Sequence, residues 1–555
     1  MLPGRFAHVT STTSHQDRPG WLLPTLSGYR REWLVADVVG GLSAGAVVIP
    51  QAMAYATIAN LPVQIGLYTC IIPMLVYALL GGSRAMSVST TSTIATLTAT
   101  TLVSAGVAAN AEGPDQALGS LVTLTLLVGL LLLLARIFKL GSLVENISTA
   151  TVLGIKIGVG ATVAVGQLPK LLGETSDVSG DGFIRSLLAV GDAFGSANAA
   201  TIALSVGSIV LLVVLQKFAP RVPGTLIVVA GGILLAAFTG MTAAGVALID
   251  PVPSGFPTLR LPDLAHLADL VPGALAIAVM AFLESAAVAR GIRKATEPQV
   301  DSNQELFATG AANVVGAFFT TMPSAGGFSQ SAVNQAAGAK TQVSTLVTVA
   351  LAVLVSLFLG PVLSLLPQAT LAAMVFVAVA GLINIPELVR WARISPRDFW
   401  IALVVALIGL SVGLLAAVAV GVVVTLVLVL RELNIPKLDV VGRRGSAIGI
   451  HLGRGLYTAN ALENERAIVA IATTQPEPVT AVVLDVERLD IVTITILDAL
   501  EDLDRELSQL GIALHRAKLP DTARVIARRT SWYAELEHDG RAHDSVEDGL
   551  TAASA

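Results

Sequence analysis

The sequence predicts an α-helical polytopic membrane protein with a small soluble α/β domain at its C-terminal end. Of its 555 residues, 54% are hydrophobic and 13% are charged, whereas soluble domains carry about 25% charged residues. The mean hydropathy is +0.76, and the 50 glycines are spread through the apolar part, as in membrane helices that pack closely. We therefore expect membrane lipid as the surroundings, and no basic patch indicates a nucleic-acid partner.

Apolar runs long enough to cross a bilayer, which takes roughly 20 residues, give fourteen candidate spans before position 432. The expected spans are 34–58, 63–82, 88–105, 118–138, 148–167, 198–217, 223–241, 270–290, 303–321, 328–338, 343–366, 368–383, 398–413 and 415–431. The third and the tenth are the weakest.

The placement of basic residues supports an even number of spans. With the N-terminus inside, thirteen Lys and Arg residues fall in inside loops, and only Lys170, Arg185 and Arg260 fall outside. Short cytosolic loops collect Lys and Arg. We therefore expect a protein of the cytoplasmic membrane with both termini cytosolic, consisting of an N-terminal segment (1–32) without a removable signal peptide and a transporter-like domain (33–432).

The pattern changes after Arg431, where apolar and polar residues alternate as in a soluble α/β unit. Residues 479–486 are typical of a buried strand, 497–510 have helical apolar spacing, and 512–514 indicate another short strand. We expect a cytosolic domain over 438–540. The last residues, 541–555, are polar and are expected to form a disordered tail.

Two weak, hydroxyl-rich spans in matching places predict an internal repeat. Residues 87–93 (SVSTTST) open the third span, and residues 324–331 (SAGGFSQS) open the tenth. Interrupted spans at corresponding positions of two halves indicate a transporter site. Gln51 and Glu284, polar residues in the first and eighth spans, repeat with nearly the same separation. We infer two inverted seven-span halves.

A helix that begins inside the membrane has unpaired amides and a partial positive charge at its start. Two such starts facing each other would bind a small anion without Lys or Arg. One segment alone would be explained by hydroxyls that bond back to their own helix, but the matched pair favours a site. The candidate anion-binding residues are Thr90, Thr91 and Ser92 on one side, Phe328, Ser329 and Gln330 on the other, and Gln51.

Glu284 is the candidate coupling residue. A carboxylate in mid-membrane usually faces a cavity and has a functional role. An ionised Glu284 would repel a bound anion, so the anion is accepted only when the carboxyl is protonated or paired with a cation. Proton symport is the simplest consequence, and sodium coupling is the alternative. Lys156 is expected to extend to the membrane interface instead.

No pattern of an enzyme is present. The seven histidines show no metal-ligand spacing, and no Gly-rich phosphate loop is followed by Lys. We expect no catalytic residue, metal or cofactor.

Several ordered motifs resemble the SulP family of anion permeases over nearly the whole chain. They include 49–55 (IPQAMAY), 82–84 (GSR), 167–170 (QLPK), 301–306 (DSNQEL) and 328–331 (FSQS). The resemblance implies a core domain of spans 1–4 and 8–11, a gate domain of the others, a substrate between the half-helices of spans 3 and 10, and homodimers. Family substrates include sulfate, bicarbonate, chloride and dicarboxylates.

The C-terminal domain resembles a STAS domain, with 456–461 similar to its first strand pair and 483–485 to its central strand. Thr493 and Ile496 depart from the motif around Thr495, which argues against phosphorylation there. In the membrane part, some relatives have Arg where this chain has Gln330, so we expect a site without a fixed positive side chain.

The resemblance and Glu284 together favour a proton-coupled transporter of a small anion, with sulfate first. Sodium-coupled bicarbonate transport and proton-coupled C4-dicarboxylate transport remain open. An uncoupled channel or exchanger would not need Glu284, a sensor or scaffold would depend on the C-terminal domain, and a nucleobase permease would respond to uracil or xanthine.

Overall fold

The computed structural model describes residues 22–107, 114–141, 149–174, 183–195, 197–219, 223–294, 297–457, 460–489 and 492–554. The chain divides into two compact units, Met1–Val423 and Val424–Ala555. Two short 3-10 turns, Pro24–Leu26 and Arg31–Trp33, precede the first long helix. Most of the predicted N-terminal segment, residues 1–21, lies outside the described residues.

Helices coincide with all seven expected spans of the first half. In chain order they are α1 (Leu34–Ile58), α2 (Val63–Thr69), α3 (Ile72–Leu80), α4 (Ser92–Ser104), α5 (Pro114–Ile137), α6 (Thr149–Leu172), α7 (Phe183–Ala193), α8 (Ala199–Phe218) and α9 (Gly224–Phe238). The second span consists of α2 and α3 together. The helix is interrupted before Pro73 because proline has no amide hydrogen to donate. The short α7 is additional to the expected spans.

The second half repeats this pattern. Its helices are α10 (Leu267–Gly291), α11 (Ser302–Phe318), α12 (Phe328–Ala336), α13 (Val343–Phe358), α14 (Gly360–Leu363), α15 (Gln368–Ala380), α16 (Ile385–Ile394), α17 (Pro396–Ser411) and α18 (Leu414–Asn434). Here the short α16 is additional. Among the described residues, eight helices are long and apolar enough to cross a membrane, and the half-length α4 and α12 occupy the two weak spans, as expected.

The helices of the first unit pack in two groups, each drawn from both halves of the chain. In the core group (α1–α5 and α10–α13), α5 packs against α10 and α11, and α1 packs against α12 and α13. In the gate group (α6–α9 and α15–α17), α6 packs against α15 and α17. Glycine permits these approaches: a Cβ at Gly41 would lie 2.2 Å from the Ser344 carbonyl oxygen, and one at Gly154 2.5 Å from that of Ala402.

The second unit contains a five-stranded sheet with helices. The strands are β3 (Leu438–Arg444), β4 (Ala447–Leu452), β5 (Ala481–Asp485), β6 (Ala513–Ala517) and β7 (Ala542–His543), in that spatial order. The β3–β4 pair is antiparallel and the others are parallel. The helices are α19 (Ala461–Thr473), α20 (Ile494–Gln509), α21 (Asp521–Ala527), α22 (Ser531–His538) and α23 (Val546–Ala553). The expected strands at 479–486 and 512–514 and the helix at 497–510 are confirmed.

Two expectations for this unit are wrong. The expected disordered tail, 541–555, contains β7 and α23, and Leu550 packs with Val483 in a small core cluster. The polar composition of this segment did not predict these elements, because β7 is stabilised by hydrogen bonds to β6, which is distant in sequence. Residues 456–457 are not a strand either. They precede α19, while the first strand pair is β3 and β4, and residues 458–459 lie outside the described part.

Candidate functional site

The two half-helices begin side by side at a two-stranded contact. Strand β1 (Val88–Ser89) pairs antiparallel with β2 (Ala325–Gly326), with Ser89 opposite Ala325. Helix α4 starts three residues after β1, and α12 starts two residues after β2. The antiparallel pairing agrees with two halves of opposite orientation, and it places two helix N-termini at one position in the core group.

Groups from two neighbouring segments, α10 and residues 86–87, fix this contact. The Gly326 amide donates to Ser285 Oγ at 2.9 Å, and the Gly327 amide donates to the Ser87 carbonyl at 3.1 Å. A Cβ at Gly326 would lie 2.5 Å from the Met86 sulfur. Only glycine therefore fits without displacement, which explains the Gly-Gly pair before α12.

The two helix starts differ in how they are capped. At α4, the Thr91 side chain accepts a hydrogen bond from the Ile94 amide at 3.3 Å. At α12, the N-cap residue Gly327 provides no side-chain cap. The first amides of a helix have no intrahelical partner, and they attract negative charge. The α12 start is therefore the less saturated of the two.

The predicted residues line one cavity of about 470 Å³, a size within the roughly 300–1,000 Å³ of small-molecule sites. One side of the cavity comes from the core group, and the other comes from gate-group helices that include α8 and α15, which contribute Leu212, Met374 and Val377. The structure brings together every residue that the sequence singled out: Gln51, Thr90, Thr91, Ser92, Glu284, Phe328, Ser329 and Gln330.

Several polar groups in this cavity lack strong partners within the protein. The Thr90 hydroxyl is buried and has no hydrogen-bond partner in the described structure. The Gln51 side-chain amide donates to Ser329 Oγ at a long 3.4 Å. Buried polar groups are normally paired, so unpaired ones that border a cavity are available to a ligand.

Gln330 lies against the start of α12. A Cβ built on Gly327 would approach the Gln330 side-chain nitrogen to 1.8 Å, so the amide folds back over the helix N-terminus. Gln330 is only 4% exposed. Its side chain is thus held at the position where an anion would meet the free amides of α12.

Glu284 lies in α10 at the edge of the same cavity, beside Tyr55 of α1. Its Oε2 accepts a hydrogen bond from Thr91 Oγ1 at 2.7 Å. Thr91 therefore links the carboxylate to the start of α4, whose Ile94 amide it also caps. A change of protonation at Glu284 would act directly on the helix start.

Lys156 also lines the cavity, and the two expectations about it are wrong: it does not extend to the interface, and the cavity does have a positive side chain. Its Nζ lies 5.7 Å from the centre of the Phe328 ring. Lys156 is the eighth residue of α6, about 10 Å along the helix axis. That depth, within the glycine-rich stretch 154–160 (GIKIGVG), is a sequence signal that Lys156 lies well inside the helix, although it does not show which side faces the cavity.

Among the described residues, no group of three or more His, Cys, Asp and Glu side chains could hold a metal ion. Two half-helix starts and one carboxylate around a cavity between two helix groups define a class of protein: a multi-pass membrane transporter for anions.

Comparison with known proteins identifies the family. Residues 34–405 match the sulfate permease family, and the chain belongs to this family. It is 31% identical over 532 residues to a "Probable sulfate transporter" of Mycobacterium tuberculosis (strain CDC 1551 / Oshkosh), covering 92% of this chain and 94% of that protein. It is also 31% identical over 423 residues to "Sulfate transporter 4.1, chloroplastic" of Arabidopsis thaliana, covering 74% and 60% of the two chains. These relatives are transporters, not enzymes.

Solved structures share the fold. The inward-facing murine Solute Carrier 26 family member A9 anion transporter superimposes with a TM-score of 0.83 at 21% identity, covering 99% of this chain and 96% of that one. The transmembrane domain of the cyanobacterial bicarbonate transporter BicA gives a TM-score of 0.60 at 22% identity, covering 72% and 98%.

Proposed function

We propose that the chain is a secondary active transporter that moves a small anion, with sulfate first, across the cytoplasmic membrane by proton symport with alternating access. The observation that carries the proposal is that two half-helix starts and the carboxylate of Glu284 line one cavity. The names of the relatives from Mycobacterium tuberculosis and Arabidopsis thaliana support sulfate as the first substrate to test.

The coupling follows from charge. An anion bound at the α12 start would lie in the same cavity as Glu284, and two negative charges at short range in a poorly solvated site repel each other strongly. A proton on Glu284 removes this repulsion. The Thr91 hydroxyl donates to the carboxylate at 2.7 Å. Protonation of Glu284 would alter this hydrogen bond and thereby affect the start of α4. Proton and anion therefore bind together.

Alternating access follows from the position of the cavity between the core group and the gate group. The core group holds both half-helices and Glu284, while the gate group supplies the opposite wall. Movement of one group past the other would expose the cavity to either side of the membrane in turn. We extend the proposal to a homodimer in the cytoplasmic membrane with both termini cytosolic.

The test is uptake of labelled sulfate into proteoliposomes that contain the purified full-length protein, with and without an inward proton gradient. Wild type should accumulate sulfate only with the gradient, and Glu284→Gln should lose gradient-driven accumulation. Glu32→Gln is the matched control, because Glu32 is exposed and does not line the cavity.

Other outcomes separate the alternatives. Sulfate flux that ignores both gradient and mutation would reject coupling and favour a channel or exchanger. Accumulation driven by sodium instead of protons would identify sodium as the coupling ion and would leave the coupling role of Glu284 unchanged. If sulfate is not transported, bicarbonate and fumarate in the same assay would test the two other anion classes.

A further inference from the structure

The cavity contains two opposite formal charges, one from each helix group. Of the described residues that line it, Lys156 and Glu284 are the charged ones. Glu284 belongs to α10 of the core group, and Lys156 belongs to α6 of the gate group. The remaining titratable side chain in the lining is Tyr55 of α1, which is neutral near pH 7.

The two charges differ in how well the protein satisfies them. Glu284 accepts a hydrogen bond from Thr91. Lys156 makes no hydrogen bond or ion pair with any described residue, and its ammonium instead lies over the Phe328 ring at 5.7 Å. It lines the same cavity as Glu284. A cation–π contact replaces only part of the hydration that an ammonium loses when it leaves water.

Phe328 is the first residue of α12, so the ammonium lies over a side chain that extends from the less saturated helix start. An anion that accepts hydrogen bonds from the α12 amides would lie in the cavity that Lys156 also lines. The core group would supply the neutral donors, and the gate group would supply the cation.

A charge count assigns a substrate class to this arrangement. Each helix start contributes about half a positive charge, so the two together contribute about one. Lys156 adds one more. When Glu284 is protonated, as the proposed function requires, the cavity offers about two positive charges and matches a divalent anion. Without Lys156, it would match a monovalent one.

We infer that Lys156 is the residue that selects divalent over monovalent anions, by placing its ammonium against the substrate at the start of α12. This inference rests on the proposed function, because it concerns the same cavity. It adds the charge class of the substrate and a binding residue from the gate group.

Anion binding to the full-length protein in nanodiscs, measured by calorimetry with sulfate and with nitrate, tests the inference. Lys156→Met should weaken sulfate binding about ten- to hundredfold, the loss expected for one charge-assisted hydrogen bond, and nitrate binding less than about threefold. Lys156→Arg keeps the charge and should retain the preference for sulfate. Lys156→Gln should resemble Lys156→Met, and it provides a polar substitute if the Met variant folds poorly.

Lys217→Met is the matched control. Lys217 Nζ lies 5.6 Å from the Phe218 ring, so it makes the same kind of contact, but it does not line the cavity. This variant should bind both anions as wild type does.

Three results would overturn the inference. Unchanged sulfate binding in Lys156→Met would show that the ammonium does not meet the anion. An equal loss of sulfate and nitrate binding without recovery in Lys156→Arg would indicate a packing role. Wild type that binds neither sulfate nor nitrate would reject the proposed function itself, whereas the first two results would leave it standing.

Discussion

Acidic side chains are buried in two regions of the membrane unit, and the two regions differ in what surrounds the carboxylates. At the contacts between the two halves, Asp37 and Glu305 are both 0% exposed, and each accepts hydrogen bonds from the opposite half. At the cavity, Glu284 is 8% exposed and accepts a hydrogen bond from Thr91. The first two carboxylates hold the halves together, whereas the third borders space that a ligand can enter.

The hydrogen bonds of Asp37 show the first case in detail. From α1, it accepts the Lys340 amide at 2.6 Å, the Thr341 amide at 3.0 Å and the Thr341 hydroxyl at 2.7 Å. Glu305 similarly accepts the Tyr77 hydroxyl at 2.7 Å and the Gly82 amide at 3.0 Å. In this chain, the adjacent cavity, and not burial alone, distinguishes Glu284 as the functional candidate from Asp37 and Glu305.

The largest effect is expected from Asp37→Ala. The substitution leaves the buried Thr341 amide and hydroxyl and the partly buried Lys340 amide without an acceptor, which costs about 3 kcal/mol in folding stability. We expect a low yield of monodisperse protein and a clearly lowered unfolding temperature. Glu284→Ala, measured in parallel, should purify with near-wild-type yield and unfolding temperature.

Asp37→Asn is the control, since it keeps one acceptor oxygen and should recover part of the stability. An Asp37→Ala protein that is as stable as wild type but inactive in transport would contradict the structural role assigned to Asp37. The two regions would then not differ in the way proposed, because Asp37 as well as Glu284 would act in transport.

Much of this arrangement could be predicted from the sequence, because the signals were local. The apolar runs matched the helices, and the Ser/Thr-rich and Gly-rich breaks before Ser92 and Phe328 marked where helices begin inside the membrane. Glu284 was identifiable because it is an acid in the middle of an apolar run. Nothing beyond the positions of these residues in their own segments was needed.

The remaining features depend on contacts between distant segments. Helix α6 is apolar on nearly all sides, so its sequence does not show which side faces the cavity, and Lys156 was placed at the interface. The structural role of Asp37 likewise depends on Thr341, which lies beyond the repeat boundary. The polar residues 541–555 showed no strand pattern, because β7 is paired only through β6.

Thr→Val substitutions at one position in each region are expected to have an intermediate effect on folding stability, and the two substitutions should differ. Thr341 and Thr90 are 0% and 1% exposed, but the Thr341 hydroxyl donates to Asp37 while that of Thr90 has no partner in the described structure. Thr341→Val should destabilise the protein by about 1–3 kcal/mol, and Thr90→Val should be neutral or slightly stabilising.

The two variants should also differ in their affinity for sulfate. Loss of the Thr90 hydroxyl should weaken sulfate binding about three- to tenfold, as for one hydrogen bond, and Thr341→Val should leave it unchanged. Thermal unfolding with and without sulfate measures both quantities in one experiment. Destabilisation by Thr90→Val would mean that its hydroxyl is satisfied and is not available to an anion.

The smallest effect concerns a buried titratable pair in the C-terminal unit. His515 of β6 and His543 of β7 are stacked, with Nδ1 and Nε2 3.0 Å apart. Burial, and then the nearby His543 and Arg541, lower the pKa of His515 from 6.5 to about 4. The lowered pKa means that the folded unit favours the neutral form of His515.

The direction of the pH effect follows from this pKa. The unfolded chain takes up a proton near pH 6.5 and the folded unit only near pH 4, so the stability contributed by neutral His515 is complete above pH 6.5 and is lost as the pH falls toward 4. At pH 5, opening of the β6–β7 pair should increase on the order of tenfold, after allowance for solvent screening. Hydrogen–deuterium exchange of peptides covering Ala513–Ala517, corrected for intrinsic rates, measures it.

His515→Gln should remove most of this pH dependence, because it leaves no group at position 515 to titrate. His538→Gln, at an exposed position at the end of α22, should retain it. If wild type and His515→Gln lose protection equally between pH 7 and pH 5, acid opening of this edge must come from other groups, such as His543, whose pKa is also lowered by burial, or the carboxylates bound to Arg516 and Arg541.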